Sequence, residues 1–262
     1  MVVFKILVTG VVCIAMAGCA GLSEDGEPLS QPSRVDAEAQ GLQGAAWDAA
    51  VTDLLHTPSG GEPWKPFRLP GKRYAGFEID RKKDRAALSV QSDKSVSILR
   101  RQFTHGGLEV GQIDFSWMVE ALPEGANLHE AEYEDSPVRI LLAFDGDRSK
   151  LSARTHRISE MSRLLTGEAL PYATLMYVWS NGDAPDTVVI NPRTDRIRKV
   201  VVESGTAHVG RWRDYRRDVR SDFIRAFGEE PGPLRAVALM TDTDNTRSRL
   251  RAWYGPMTLG SR

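Results

Sequence analysis

Apolar and polar residues alternate with period two through most of the chain after Pro70. Ile113, Phe115, Trp117 and Val119 are separated by Asp114, Ser116 and Met118, a pattern that predicts a strand with one buried face. The same period predicts strands over 138–144, 173–179, 187–190, 197–203, 235–241 and 249–254, with shorter signals over 74–79, 86–91 and 95–103. Turns rich in Gly, Asp, Asn or Pro join most of these roughly ten strands, which predicts a mainly β chain folded as an antiparallel two-sheet sandwich and not as βαβ units. Helical spacing is confined to three places. Trp47, Ala50, Val51, Leu54 and Leu55 predict a helix over 45–55 that Thr57-Pro58 stops, and Ile158, Met161, Leu164 and Leu165 predict a short one ending at Gly167. Trp212, Tyr215, Val219, Phe223 and Phe227 predict a longer one ending at Gly228, on which Arg213, Arg216, Arg217 and Arg220 share the surface with Asp214, Asp218 and Asp222. That intermixing describes a solvated, mutually paired face and not a basic docking surface.

The N-terminus has a different pattern. Lys5 precedes an apolar run over 6–17 that is too short for a bilayer core needing about 20 residues, and it reads as a signal segment. Met16-Ala17-Gly18-Cys19 resembles a bacterial lipobox, so Cys19 is the expected lipidation site and the new N-terminus. Ala20 stands where an inner-membrane retention signal would have Asp. The expected location is therefore the bacterial cell envelope, with the protein facing the periplasm and held by lipid, most simply at the outer membrane. Residues 19–44, poor in core formers, read as a flexible tether reaching roughly 25–30 Å. Residues 45–70 form a helix followed by a Pro-rich extended segment, and 71–262 form the sandwich.

Composition narrows the classes. The 262 residues carry 34 Lys+Arg and 35 Asp+Glu, and this formal charge of -1 gives no global attraction to nucleic acid. With 41% hydrophobic and 26% charged residues, the chain is neither a multispan membrane protein nor wholly disordered. Both cysteines, Cys13 and Cys19, fall in the first twenty residues, so the body has neither a disulfide nor a thiolate metal site.

Recognisable catalytic patterns are missing: there is no Gly-x-Ser-x-Gly, no His-Glu-x-x-His and no Gly-x-x-x-x-Gly-Lys, and the five histidines are scattered. Glu130, Glu132, Glu134 and Asp135 form an acidic cluster that reads as a solvated loop and also as the raw material for a carboxylate hydrolase. Asp242, Asp244 and Asn245 begin like a Ca2+ loop, yet position six is not Gly and Trp253 stands where a bidentate Glu is wanted. A hairpin turn is the preferred reading, with no cofactor. A Ca2+ ion drawing on remote ligands such as Asp135 or Asp145 is the alternative.

Aromatic residues suggest sugar stacking. Trp117 and Trp179 share faces with Phe115 and Tyr177 and read mainly as core, with Trp179 retained as a candidate ligand contact. Trp253 lies opposite Leu250, Ala252 and Tyr254, on the side of Arg249 and Arg251, and is expected to project from the polar face. Arg139 opposes Val138, Ile140, Leu142 and Phe144, so Arg139, Arg251 and Trp253 are expected to form a binding platform.

Several short strings recur in order: Tyr177-Val178-Trp179-Ser180, Asn191-Pro192, Val202-Glu203-Ser204-Gly205, Trp212 with Asp214-Tyr215, Phe227-Gly228, Asp242-Thr-Asp244-Asn245-Thr246 and Trp253-Tyr254-Gly255. From about Trp64 to the C-terminus, the chain resembles the bacterial domain-of-unknown-function family 3047. Arg139 matches an arginine of that family's central strands. The resemblance implies a secreted, jelly-roll-like sandwich, similar in outline to carbohydrate-binding modules. Glu134-Asp135-Ser136 and Gly255-Pro256-Met257 depart from the family's paired aspartates and its Gly-Asp-Ile ending. The expected function is glycan binding without catalysis. Its rivals are an envelope hydrolase using Glu134 and Asp135 on a polysaccharide, and an assembly factor that binds an envelope protein through the helix at 212–227.

Overall fold

The computed structural model describes residues 34–104 and 106–261, so the expected signal segment and Cys19 lie outside the described residues. The main folded unit is Gly41–Arg262. In chain order the elements are α1 (Arg34–Leu54), β1 (Leu55–His56), β2 (Lys65–Phe67), β3 (Phe77–Lys82), β4 (Arg85–Asp93), β5 (Val96–Gln102), β6 (Val110–Val119), β7 (Ser136–Phe144), α2 (Ala153–Thr166), β8 (Ala173–Ser180), β9 (Val188–Ile190), β10 (Ile197–Ser204), β11 (Arg213–Asp218), α3 (Val219–Phe227), β12 (Leu234–Asp242) and β13 (Arg249–Ser261). Helix α1 begins at Arg34, so its first turns fall within the stretch read as a tether.

Two sheets face each other. One runs β11-β6-β13-β4-β3, with β1 also against β13, and the other runs β2-β5-β12-β7-β8-β10-β9. From β4 onward the chain changes sheet at β4 to β5, β5 to β6, β6 to β7, β10 to β11, β11 to β12 and β12 to β13. The layers β4-β13-β6-β11 and β5-β12-β7-β8 therefore make a jelly roll. Pairing is antiparallel except β1 with β13 and β8 with β10. Strands β1 and β2 draw residues ahead of 71 into the sheets.

Alternation explains the core. Leu88, Val90, Ile113, Phe115, Trp117 and Tyr254 of one sheet pack against Leu99, Ile140, Leu142, Tyr177, Trp179 and Leu239 of the other. Each fully buried side chain of this size contributes about 1.5–3 kcal/mol. The Tyr254 hydroxyl donates to the Met240 carbonyl at 2.6 Å, joining the layers. In β13 the register shifts between Tyr254 and Met257, where Pro256 has no amide to offer the ladder. Only glycine fits at 255, since a Cβ there would lie 2.3 Å from Ser116 Oγ.

The helix expected over 212–227 is half strand. Arg213, Tyr215 and Arg217 alternate with exposed Asp214, Arg216 and Asp218, and β11 pairs with β6 from Arg213↔Trp117 to Asp218↔Gln112. Asp218 then caps α3 by accepting from the Ser221 amide at 2.9 Å. Helix α2 ends where expected, with Gly167 in the left-handed region at φ 81. It buries Thr155 and Ser159, however, and exposes Met161, Leu164 and Leu165.

Candidate functional site

The outer face of the seven-stranded sheet is apolar where a solvated sheet face would be polar. Adjacent strands align Ile98, Met240 and Arg139, then Arg100, Ala238, Leu141 and Met176, then Gln102, Ala236, Ala143 and Thr174. Two flanks rise over this face. Phe67 and Leu69 pack on Val96, Ile98, Ala238 and Met240 at one side, and Leu128 packs with Met176, Val178, Val189 and Val201 at the other. Between them, Leu141 and Ala143 on β7 stay half-buried. Arg100 borders the strip, gripping Glu168 through two bonds of 2.6 and 2.8 Å and lying 4.2 Å from the centre of the Phe67 ring. The paired fork geometry fixes a planar polar edge beside a small-residue floor.

One end of the strip is a buried charged cluster made from the loop before β7 and the loop after β12. Lys199, on β10, donates to Glu134 Oε2 at 2.7 Å and to the Leu128 carbonyl at 3.0 Å. Asn191 donates to the same carboxylate at 2.7 Å, and Arg193 pairs with its other oxygen. Burial, assisted by the charge of Arg139 and opposed by Glu134, lowers the Lys199 ammonium to about 8. Arg139 donates to the Glu134 carbonyl and lies 3.4 Å from Asp242 Oδ2. Burial pushes the Asp242 carboxyl well above the usual range; Asp135 and Asp244 add to the rise and Arg139 opposes it. Asp135 holds the 242–246 loop, accepting from the Thr246 amide and hydroxyl at 2.7 Å each. The expected hairpin is instead a crossing between the two sheets, since β12 and β13 do not pair, and its turn amides are capped by Asp135 from the start of the neighbouring β7.

Five expectations need correction. Trp253 lies on the outer face of the six-stranded sheet, as its alternation requires, but it is only 2% exposed. Ala87, Met118 and Trp212 surround it, Lys82 and Arg251 cover its ring at 4.4 and 5.3 Å, and its Nε1 donates to Asp80 at 2.8 Å. Arg139 is in the other sheet and 3% exposed beneath the 120–135 loop, so the Arg139–Trp253 platform does not exist. Arg251 is spent on Asp80 and Ser89, both at 3.1 Å. Trp179 is fully buried core, donating to the Gly205 carbonyl at 3.0 Å. Glu134 and Asp135 are likewise buried and engaged by structural partners, so they do not face each other across an open cleft.

The floor of the strip was missed. Leu141, Ala143 and Ala238 occupy strand positions predicted correctly, yet they carry no motif, and only the absence of polar residues at their outward positions could have marked them.

No curated protein matches the chain. Among solved structures, the xyloglucanase domain of NopAA, a type three effector from Sinorhizobium fredii, in complex with cellobiose, aligns at TM-score 0.42 and 11% identity, covering 79% of this chain and 96% of that one. A family 29 carbohydrate binding module aligns at TM-score 0.31 and 12% identity, covering 76% of this chain and 77% of that one. Residues 62–258 match the family described as protein of unknown function, DUF3047, and the chain belongs to that family.

Proposed function

We propose that this protein is a lipoprotein of the bacterial envelope, anchored through Cys19 at the outer membrane and facing the periplasm, whose sandwich binds a glycan along the outer face of the seven-stranded sheet. The half-open apolar strip at Leu141 and Ala143, between two flanks and beside the Arg100–Glu168 pair, carries this reading. A sugar ring lays its C–H face on small apolar side chains, while its hydroxyls meet the planar guanidinium–carboxylate edge.

The test is a glycan array probed with the purified mature chain and with Ala143→Arg, which fills the strip from a half-exposed position. The proposal expects binding by the natural chain that is lost in the variant, with the melting temperature within a few degrees. Retention of the same glycans by Ala143→Arg, or no glycan bound by the natural chain, would remove the strip as a binding site.

A further inference from the structure

We propose that Asp135, Asp242 and Asp244 hold one Ca2+ ion that ties the loop before β7 to the loop between β12 and β13. Each residue offers a carboxylate oxygen, and the three oxygens lie within 4.8 Å of one another. Asp135 and Asp242 are buried, and they come from segments far apart in sequence.

The unmet valence of Asp242 is the independent observation. This residue is 6% exposed, and its Oδ1 is buried with no hydrogen-bond partner. Its Oδ2 has the Arg139 guanidinium at 3.4 Å. A buried carboxylate oxygen without a donor is costly unless a charge neutralises it. Arg139 and Lys72, the latter paired with Asp244, supply two positive charges to three carboxylates. An added divalent cation would turn that balance from -1 to +1 and give the orphaned oxygen a partner. Asp135 is already oriented by Thr246 and by the Asn245 amide at 3.4 Å, and a carboxylate has about four lone-pair positions, so these bonds leave room for an ion.

The donor set selects the metal. With oxygen alone and no Cys or His, it is a site for a hard cation. Ligands on opposite sides of Ca2+, each at about 2.3–2.6 Å, are about 4.6–5.2 Å apart, so three oxygens within 4.8 Å of one another fit around one such ion. Mg2+, at about 2.0–2.1 Å, demands a near-ideal octahedron and gives up its waters reluctantly, so it is the weaker fit to this all-carboxylate set. Three protein carboxylates leave other coordination positions to water, and the expected affinity is that of extracellular modules, roughly 10⁻⁴–10⁻³ M. Asp145, the other remote candidate, follows the far end of β7 and is not part of the cluster.

The experiment is thermal unfolding of the mature chain at pH 7 with CaCl2, MgCl2 or chelator, alongside calorimetric titration with CaCl2. The proposal expects 5 mM CaCl2 to raise the melting temperature by about 3–5 °C over chelator, with a smaller effect of MgCl2. Asp242→Asn and Asp244→Asn should lose the rise, and Asp244→Asn, at a less buried position, keeps the test available if the first variant does not fold. An equal Ca2+ response in both variants would place the ion elsewhere and overturn the assignment. It would also be overturned if the natural chain gave no Ca2+ response and gained stability on acidification instead, because a proton would then neutralise the cluster.

Discussion

Replacing Lys199 with methionine isolates one buried charge at the charged end of the strip. Lys199 is fully buried, and its ammonium titrates at about 8 in the fold against 10.5 in an unfolded chain. Between these values the unfolded chain binds more protons than the native one, so the contribution of Lys199 to stability rises with pH. It is flat below about 8 and above 10.5. The interval corresponds to about 3 kcal/mol in total, or about 1.4 kcal/mol per pH unit. Methionine nearly preserves the volume and cannot titrate, while Asn191 and Arg193 continue to hold Glu134.

Urea unfolding of the natural chain and Lys199→Met, measured between pH 7 and 9.5, separates this group from the other titrations because those are common to both proteins. The natural chain should gain about 2 kcal/mol on the variant between pH 8 and 9.5. Parallel curves would refute a depressed lysine. A lysine raised by its bond to Glu134 would also give parallel curves here, because its loss of stability would fall above pH 10.5.

Trp253→Ala should cost about 3–5 kcal/mol, measured by denaturant unfolding, because the indole is packed against Ala87, Met118 and Trp212; a nearly unchanged stability would contradict its burial. Cys19→Ser should abolish processing as a lipoprotein, since a hydroxyl forms no thioether with diacylglycerol; membrane fractionation and mass spectrometry of the natural chain check this, and a soluble, unacylated mature protein would end the anchoring proposal.

Strand period was legible because each sheet has one face turned to a common core, so every buried position on β6, β7 or β8 leaves its mark on the sequence. The 212–227 segment misled because Trp212, Tyr215, Val219, Phe223 and Phe227 satisfy helical spacing across a boundary. The alternation of Arg213, Tyr215 and Arg217 and the capping Asp218 are the local signals for a strand followed by a helix. Trp253 shows a second limit: alternation assigns a side chain to a face, whereas exposure depends on what other segments lay over it. Lys82 from β3 and Trp212 from the approach to β11 cover this indole, and neither is near it in sequence. Sheet membership was equally out of reach. Strands β7 and β13 have similar patterns, and only the jelly-roll crossings put Arg139 and Trp253 on opposite layers.

The strings that carried the family resemblance converge on structural junctions. The Tyr177 hydroxyl donates to Asp222 at 2.9 Å, and Arg217 grips the same carboxylate at 2.8 and 2.7 Å, fixing α3 against β8. Glu203, nearly buried, accepts from the Tyr215 hydroxyl at 2.7 Å and from Arg213 at 2.8 Å, locking β11 to the end of β10. These carboxylates have no spare capacity for a ligand, and removing either would strand buried donors. Sequence strings of this kind therefore report how the layers are clamped together. The half-open strip has the opposite character, since Leu141 and Ala143 are half-buried on the outer face of the sheet, away from the core between the layers. Change at the clamps should register as lost stability, whereas change along the strip should register as altered ligand choice on an intact sandwich.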